Sequence, residues 1–201
     1  MRILIIAEPR TGGTTLMDWL SLELTGYTSI TEPYTDTSRK WTDSDDITDV
    51  VWFTKFNNAF LKEIFEYRFD FTNLINASDK VICIYRNNWY EQVRSILWGE
   101  HVNEFLHSYS IDEVNEAIRE DKILERYHLY NKKLKATFQD FISKNNFVNV
   151  SYEDLYYGEG INIIKEYLGI ESTESFPPIK RYLKDKDGNP FNPEIKKNKL
   201  L

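Results

Sequence analysis

Ile3-Leu4-Ile5-Ile6-Ala7-Glu8-Pro9-Arg10-Thr11-Gly12-Gly13-Thr14-Thr15-Leu16 decides the fold. The uninterrupted Ile/Leu run, read as a strand over Arg2 to Ala7, is the pattern of a strand buried on both faces, as parallel sheets require. The Gly-Gly pair then lets the backbone curl so that successive N–H groups point inward. The threonines after it add hydroxyl donors at the positive end of a helix dipole, an arrangement suited to phosphate. The loop lacks the Gly-Lys-Ser/Thr ending of an ATP- or GTP-hydrolysing loop. Its nearest cation, Arg10, stands before the glycines instead.

Working outward, the apolar spacing predicts a helix over Thr14 to Leu24, a strand over Thr28 to Thr31 closed by Glu32-Pro33, and a loop over Thr35 to Asp49. A third strand is expected over Val50 to Phe56, followed by a helix over Asn58 to Phe69. Lys80 to Tyr85 reads as a fourth strand, followed by a helix over Asn88 to Trp98. Two helices are expected within Ile111 to Lys144, a fifth strand over Phe147 to Ser151, and a helix over Ile161 to Leu168 capped by Gly169. Alternating strands and helices imply an α/β fold of three layers, P-loop-like, with a mostly parallel sheet of about five strands. The 201 residues make a single domain, with a core over 1–169 and an irregular segment over 170–201.

The net charge of -7 argues against a broad nucleic-acid footprint or a polybasic membrane face. An anionic ligand has to be held by a few placed cations. Cys83 is alone, so no intrachain disulfide or cysteine-based zinc site is possible, and a buried thiol is expected. His101, His107 and His128 lack metal-ligand spacing, and no metal centre is expected. The first apolar stretch is too short for a signal segment or a spanning helix, so a cytoplasmic protein without membrane insertion is expected.

In a parallel sheet, ligands sit at the carboxyl ends of the strands. Arg10, Glu32, Lys55, Arg86 and Tyr152 each fall at or just past a predicted strand end and are expected to converge. Four patterns then occur in order. Pro9-Arg10-Thr11-Gly12-Gly13-Thr14 resembles the phosphosulfate-binding loop of the sulfotransferases that use 3'-phosphoadenosine 5'-phosphosulfate (PAPS). Arg86, followed nine residues later by Ser95 with Gln92 between them, is similar to the 3'-phosphate motif of the bacterial glycolipid-type members. Ser151-Tyr152-Glu153-Asp154-Leu155 resembles the segment after the last core strand, and Lys55 matches a lysine those enzymes carry on a central strand. The resemblance covers about residues 1–169.

The resemblance implies that Arg10 contacts the 5'-phosphosulfate, while Thr11, Gly12, Gly13, Thr14 and Thr15 wrap it through amides and hydroxyls. Arg86 and Ser95 would read the 3'-phosphate. The histidine base of many cytosolic members is absent, since Asn57 stands two residues beyond Lys55. Glu32 matches the glutamate base of carbohydrate-type and bacterial members, and Lys55 would stabilise the transferring sulfuryl group. Gly13 departs from relatives that carry a hydroxyl residue there, and Thr15 from those that place a tryptophan on adenine, which leaves Tyr152 as the adenine wall. The function implied is sulfuryl transfer from PAPS to a hydroxyl or amine on a small-molecule, lipid or glycan acceptor. The alternatives are a nucleotide or small-molecule kinase and a non-catalytic nucleotide-binding protein on the same fold.

Overall fold

The computed structural model describes residues 1–34, 50–66, 70–104, 115–172 and 176, with the side chains of 100–104 left aside. Five strands, β1 (Arg2–Ala7), β2 (Thr28–Thr31), β3 (Ala59–Ile64), β4 (Lys80–Tyr85) and β5 (Val148–Ser151), form one sheet in the order β2-β3-β1-β4-β5. Every pairing is parallel. β1 lies at the centre, with Arg2 opposite Ala59 on one side and Ile3 opposite Lys80 on the other.

Both faces of β1 are covered, and its alternating side chains show it. Leu4 and Ile6 join a core with Phe53, Leu61, Leu74, Leu134 and Phe138, while Ile3, Ile5 and Ala7 join a second core with Leu16, Trp19, Leu20, Ile161 and Ile164. The first core is roofed by α3 (Thr72–Asn76) and α6 (Lys132–Ser143), the second by α1 (Gly13–Glu23) and α8 (Gly160–Leu168). Each fully buried Leu or Ile stabilises this sandwich by about 1.5–3 kcal/mol relative to exposure. The result is a three-layer α/β fold, as the alternation of elements predicts.

The remaining described helices are α2 (Val51–Thr54), α4 (Trp89–Glu104), α5 (Glu120–Arg126) and α7 (Tyr152–Tyr157). One π-helical turn, Tyr127–Asn131, joins α5 to α6. β1, β2 and β4 lie where the sequence places them. α1, β5 and α8 shift by one residue, and Gly169 caps α8 in the left-handed region at φ 70°. α4 runs six residues further than the spacing indicates.

The segment after β2 departs from expectation. Val50 to Phe56 is not a strand: it contains α2, which buries Phe53 and leaves Val51 65% exposed. The third strand is Ala59-Phe60-Leu61-Lys62-Glu63-Ile64, inside the stretch expected to be helical. Ala, Leu, Lys and Glu are good helix formers, but the vacant place beside β1 rewards burial of Phe60 and Leu61 more than a few tenths of a kcal/mol of propensity. The expected loop over Thr35 to Asp49, the start of the Ile111 to Lys144 region and nearly all of the C-terminal segment lie outside the described residues. Among the described residues no helix is long and apolar enough to cross a membrane.

Candidate functional site

The site begins where β1 ends. The Glu8 amide donates to the Ile84 carbonyl at 2.9 Å, so the chain still follows β4 before it turns. The Thr11 hydroxyl donates to the Glu8 carbonyl at 2.7 Å, closing the turn, and Gly12 at φ 82° precedes the first residue of α1. The Leu16 amide bonds the Gly12 carbonyl at 2.9 Å. The helix itself therefore leaves the amides of Gly13, Thr14 and Thr15 without intrahelical partners.

Both glycines are needed for close approach. A Cβ on Gly12 would lie 3.1 Å from Tyr156 Cε2, in a backbone region that disfavours side chains. On Gly13 it would lie 3.1 Å from Lys62 Cε and 3.2 Å from Ala7 Cβ. Gly13 is thus the floor over which Lys62 reaches from β3.

Lys62, only 3% exposed, donates to the Thr14 hydroxyl at 3.2 Å and forms a close ion pair with Glu32 Oε1. Glu32 follows β2, and its amide donates to the Lys62 carbonyl at 2.7 Å. Its side chain remains 27% exposed. Glu32 has φ 50° and Arg10 has φ 61°, a backbone region that costs a non-glycine residue about 1–2 kcal/mol. The next turn is held from below: buried Glu63 accepts the Tyr34 amide at 2.9 Å and the Ile64 amide at 2.9 Å.

Across the cleft, Arg10 Nε donates to Ser95 Oγ at 3.1 Å. The Arg86 guanidinium lies 4.2 Å from the centre of the Tyr152 ring, and its buried Nε has no hydrogen-bond partner. Neither arginine makes an ion pair with an acid among the described residues. Partial desolvation, and then the charge of Arg86, hold the Arg10 guanidinium below its ordinary pKa. Tyr156 stands against Tyr152, ring centres 4.6 Å apart. Burial pushes the Tyr156 phenol up.

Behind this wall lies a buried network of which the sequence singled out Gln92 and missed Glu8 and Lys135. Glu8, 1% exposed, accepts the Arg86 amide at 3.1 Å, the Gln92 side-chain amide at 3.2 Å and the Lys135 ammonium at 3.4 Å. Gln92 also donates to the Pro9 carbonyl at 3.0 Å, and Lys135 to the Arg86 carbonyl. Burial raises the Glu8 carboxyl, opposed by Lys135 and these donors. Glu153 accepts the Asn87 amide at 3.0 Å and the Asn88 amide at 3.1 Å, fixing the start of α4. Ser151 caps α7 by accepting the Asp154 amide at 3.0 Å.

Together these elements line a cleft of about 400 Å³ at the carboxyl edge of the sheet. It contains Arg10, Thr11, Gly12, Gly13, Thr14, Thr15, Glu32, Arg86, Ser95 and Tyr152, all expected there from sequence, and also Glu8, Lys62 and Tyr156. Lys55 is the exception. It follows α2 as an exposed C-cap and does not line the cleft, because the strand expected to carry it is β3 instead. Lys62 occupies the place expected for Lys55. The usable signal was a Lys-Glu pair at the end of an apolar run, since a strand ending in a polar cleft can bury charges that a mid-sheet position cannot. Two residues beyond Lys62 stands Ile64, so this register also places no histidine there.

Cys83 is fully buried in β4, where burial pushes its thiol up and makes it inert. Among the described residues no three His, Cys, Asp or Glu side chains converge as a metal site would. Fold and site define a parallel three-layer α/β protein with a cationic cleft at the head of its first helix. No protein-family model matches the chain, and no curated protein matches it in sequence.

Proposed function

We propose that the protein is a sulfotransferase that moves a sulfuryl group from PAPS to a hydroxyl or amine acceptor. The observation that carries this reading is the Glu32–Lys62–Thr14 chain at the head of α1, facing two arginines that no acid of the described residues neutralises. A carboxylate and a lysine side by side next to free helix amides serve group transfer better than ligand storage. The buried, unpartnered Arg86 Nε and the glycine-floored loop fit an anionic donor.

The donor supplies a sulfur atom whose bond to a bridging oxygen breaks as the acceptor attacks in line, leaving 3'-phosphoadenosine 5'-phosphate (PAP). Glu32 takes the acceptor's proton. Lys62, paired with Glu32 and bonded to Thr14, meets the negative charge that develops on the departing oxygen. The amides of Gly13, Thr14 and Thr15 hold the phosphate next to it. Donors aimed in advance at developing charge are worth about 3 kcal/mol each in such sites. Arg86 with Ser95 grips the 3'-phosphate, and Tyr152 and Tyr156 form the aromatic wall for adenine.

The test is transfer of label from radiosulfur-labelled PAPS to a mixed pool of hydroxyl- and amine-bearing metabolites. Wild type is expected to make labelled esters or sulfamates. Glu32→Gln is expected to lose them by about a hundredfold or more while its PAP affinity changes by less than about threefold. Unaltered transfer in that variant removes Glu32 as the base. No transfer by wild type, together with magnesium-dependent ATP turnover, replaces this reading with a kinase.

A further inference from the structure

Arg10 stands in the phosphate loop, yet its side chain does not lie along that loop. Its Nε donates to Ser95 Oγ at 3.1 Å. Its guanidinium then follows α4 to the next turn, where a Cβ built on Gly99 would lie 3.6 Å from Arg10 Cζ and 3.7 Å from Nη1. Ser95 and Gly99 are four residues apart, so they share one face of α4. The head of α1 meanwhile has a different cation: Lys62 crosses Gly13 and bonds Thr14.

We propose that Arg10 belongs with Arg86 and Ser95 and reads the 3'-phosphate of the donor, leaving Lys62 as the cation of the transferring group. This rests on the sulfotransferase reading. The charge chemistry supports the division. A 3'-phosphate is a monoester and carries about -1.5 to -2 charges near neutral pH. The phosphosulfate spreads its two charges, one on a phosphate with two bridging oxygens and one on the terminal sulfate, so no single phosphorus there carries both. Two guanidiniums lining the same cleft, one of them bonded to Ser95, match a dianion, and planar guanidiniums can each grip two of its oxygens. Two arginines in one cleft, neither ion-paired with an acid of the described residues, are a poor arrangement for an empty site and a good one for a doubly charged group. Arg10 thereby becomes a specificity residue that separates PAPS from ATP-like nucleotides.

The measurement is calorimetric titration of the full chain with PAP and with adenosine 5'-phosphate, which differ only in the 3'-phosphate. Wild type, Arg10→Met, Arg86→Met and Ser95→Ala are compared. In Arg10→Met, PAP is expected to weaken by about ten- to a hundredfold, the size of a lost charged hydrogen-bond pair, while adenosine 5'-phosphate changes by less than about threefold. The preference for PAP then collapses as it does in Arg86→Met. Equal weakening of both nucleotides places Arg10 on the 5'-phosphate and overturns the proposal, as does no change in either. If wild type shows no preference for PAP, the sulfotransferase reading fails and this assignment with it. Should Arg10→Met fold poorly, Arg10→Gly serves instead, since glycine accepts the φ of 61° at that position.

Discussion

At the scale of single residues, the site depends on side chains placed where sequence rules disfavour them. Arg10 and Glu32 sit at positive φ, and Lys62, Glu63 and Glu8 are charged yet nearly or fully buried. Each has identifiable partners that hold it there. Glu8 is the least obvious, because it touches the cleft from behind, fixing the Arg86 amide and Gln92. Burial raises its folded-state pKa above the ordinary 4.5, so the folded protein holds the Glu8 proton more tightly than the unfolded chain does. The stability this proton contributes is fully present below 4.5 and is lost as pH rises through the folded-state value. Urea unfolding of wild type and Glu8→Gln across that range is therefore expected to show wild type losing stability relative to the variant as pH increases. A difference that moves the other way would mean that Lys135 and the amides outweigh desolvation at Glu8.

Gly13 makes the complementary point. Replacing it with alanine puts a methyl group 3.1 Å from Lys62 Cε, tighter than ordinary van der Waals contact, so Lys62 must give by a few tenths of an ångström where it bonds Thr14 and Glu32. Gly13→Ala is expected to lower kcat of label transfer by about ten- to a hundredfold with PAP affinity less affected. Loss of PAP binding with kcat intact would show that Gly13 serves the loop backbone and not the lysine.

At the scale of elements, β1, its loop and α1 were legible because three signals agreed: a continuous apolar run, a glycine pair and leucines at helical spacing. β3 was not, because its signals conflicted. Ala59, Leu61, Lys62 and Glu63 favour helix, while Val50, Val51, Trp52 and Phe53 favour strand, and both preferences lost to the geometry of the sheet. As a result Lys62 and not Lys55 lines the cleft, beside the other residues expected there. Arg10, Glu32, Arg86 and Tyr152 depended on elements read correctly, and Ser95 on the first turns of α4. The Glu8–Lys135 contact spans 127 positions of sequence, and nothing local marks it. The short helices α3 and α7 were also invisible as separate elements, though Glu153 and Asp154 were expected at a helix start.

The close packing of α8 on β5 offers an element-scale test. A Cβ on Gly160 would lie 2.5 Å from Val150 Cγ1, 2.8 Å from the Asp154 carbonyl carbon and 2.9 Å from the Leu155 amide nitrogen. Two of these atoms are backbone and cannot swing aside. Gly160→Ala is expected to destabilise the fold by about 1–3 kcal/mol, measured by thermal or denaturant unfolding, even though alanine is the better helix former. A neutral result would mean that α8 stands further from the sheet than described.

At the scale of the whole molecule, a chain of net charge -7 concentrates Arg10, Lys62 and Arg86 at one edge of its sheet. The overall charge therefore opposes anion binding, and under the proposed function these cations, with Glu8 and Glu32 beside them, must prevail at short range. The switch in strand order about β1 opens the crevice there, with β3 delivering Lys62 from one side and β4 delivering Arg86 from the other. The measurement that tests the central claim most directly is calorimetric titration of the protein with PAP and with ADP. The account predicts that PAP binds at least about tenfold more tightly, because ADP offers nothing to Arg86 and Ser95. Equal affinity for the two nucleotides, or tighter binding of ADP, would contradict it.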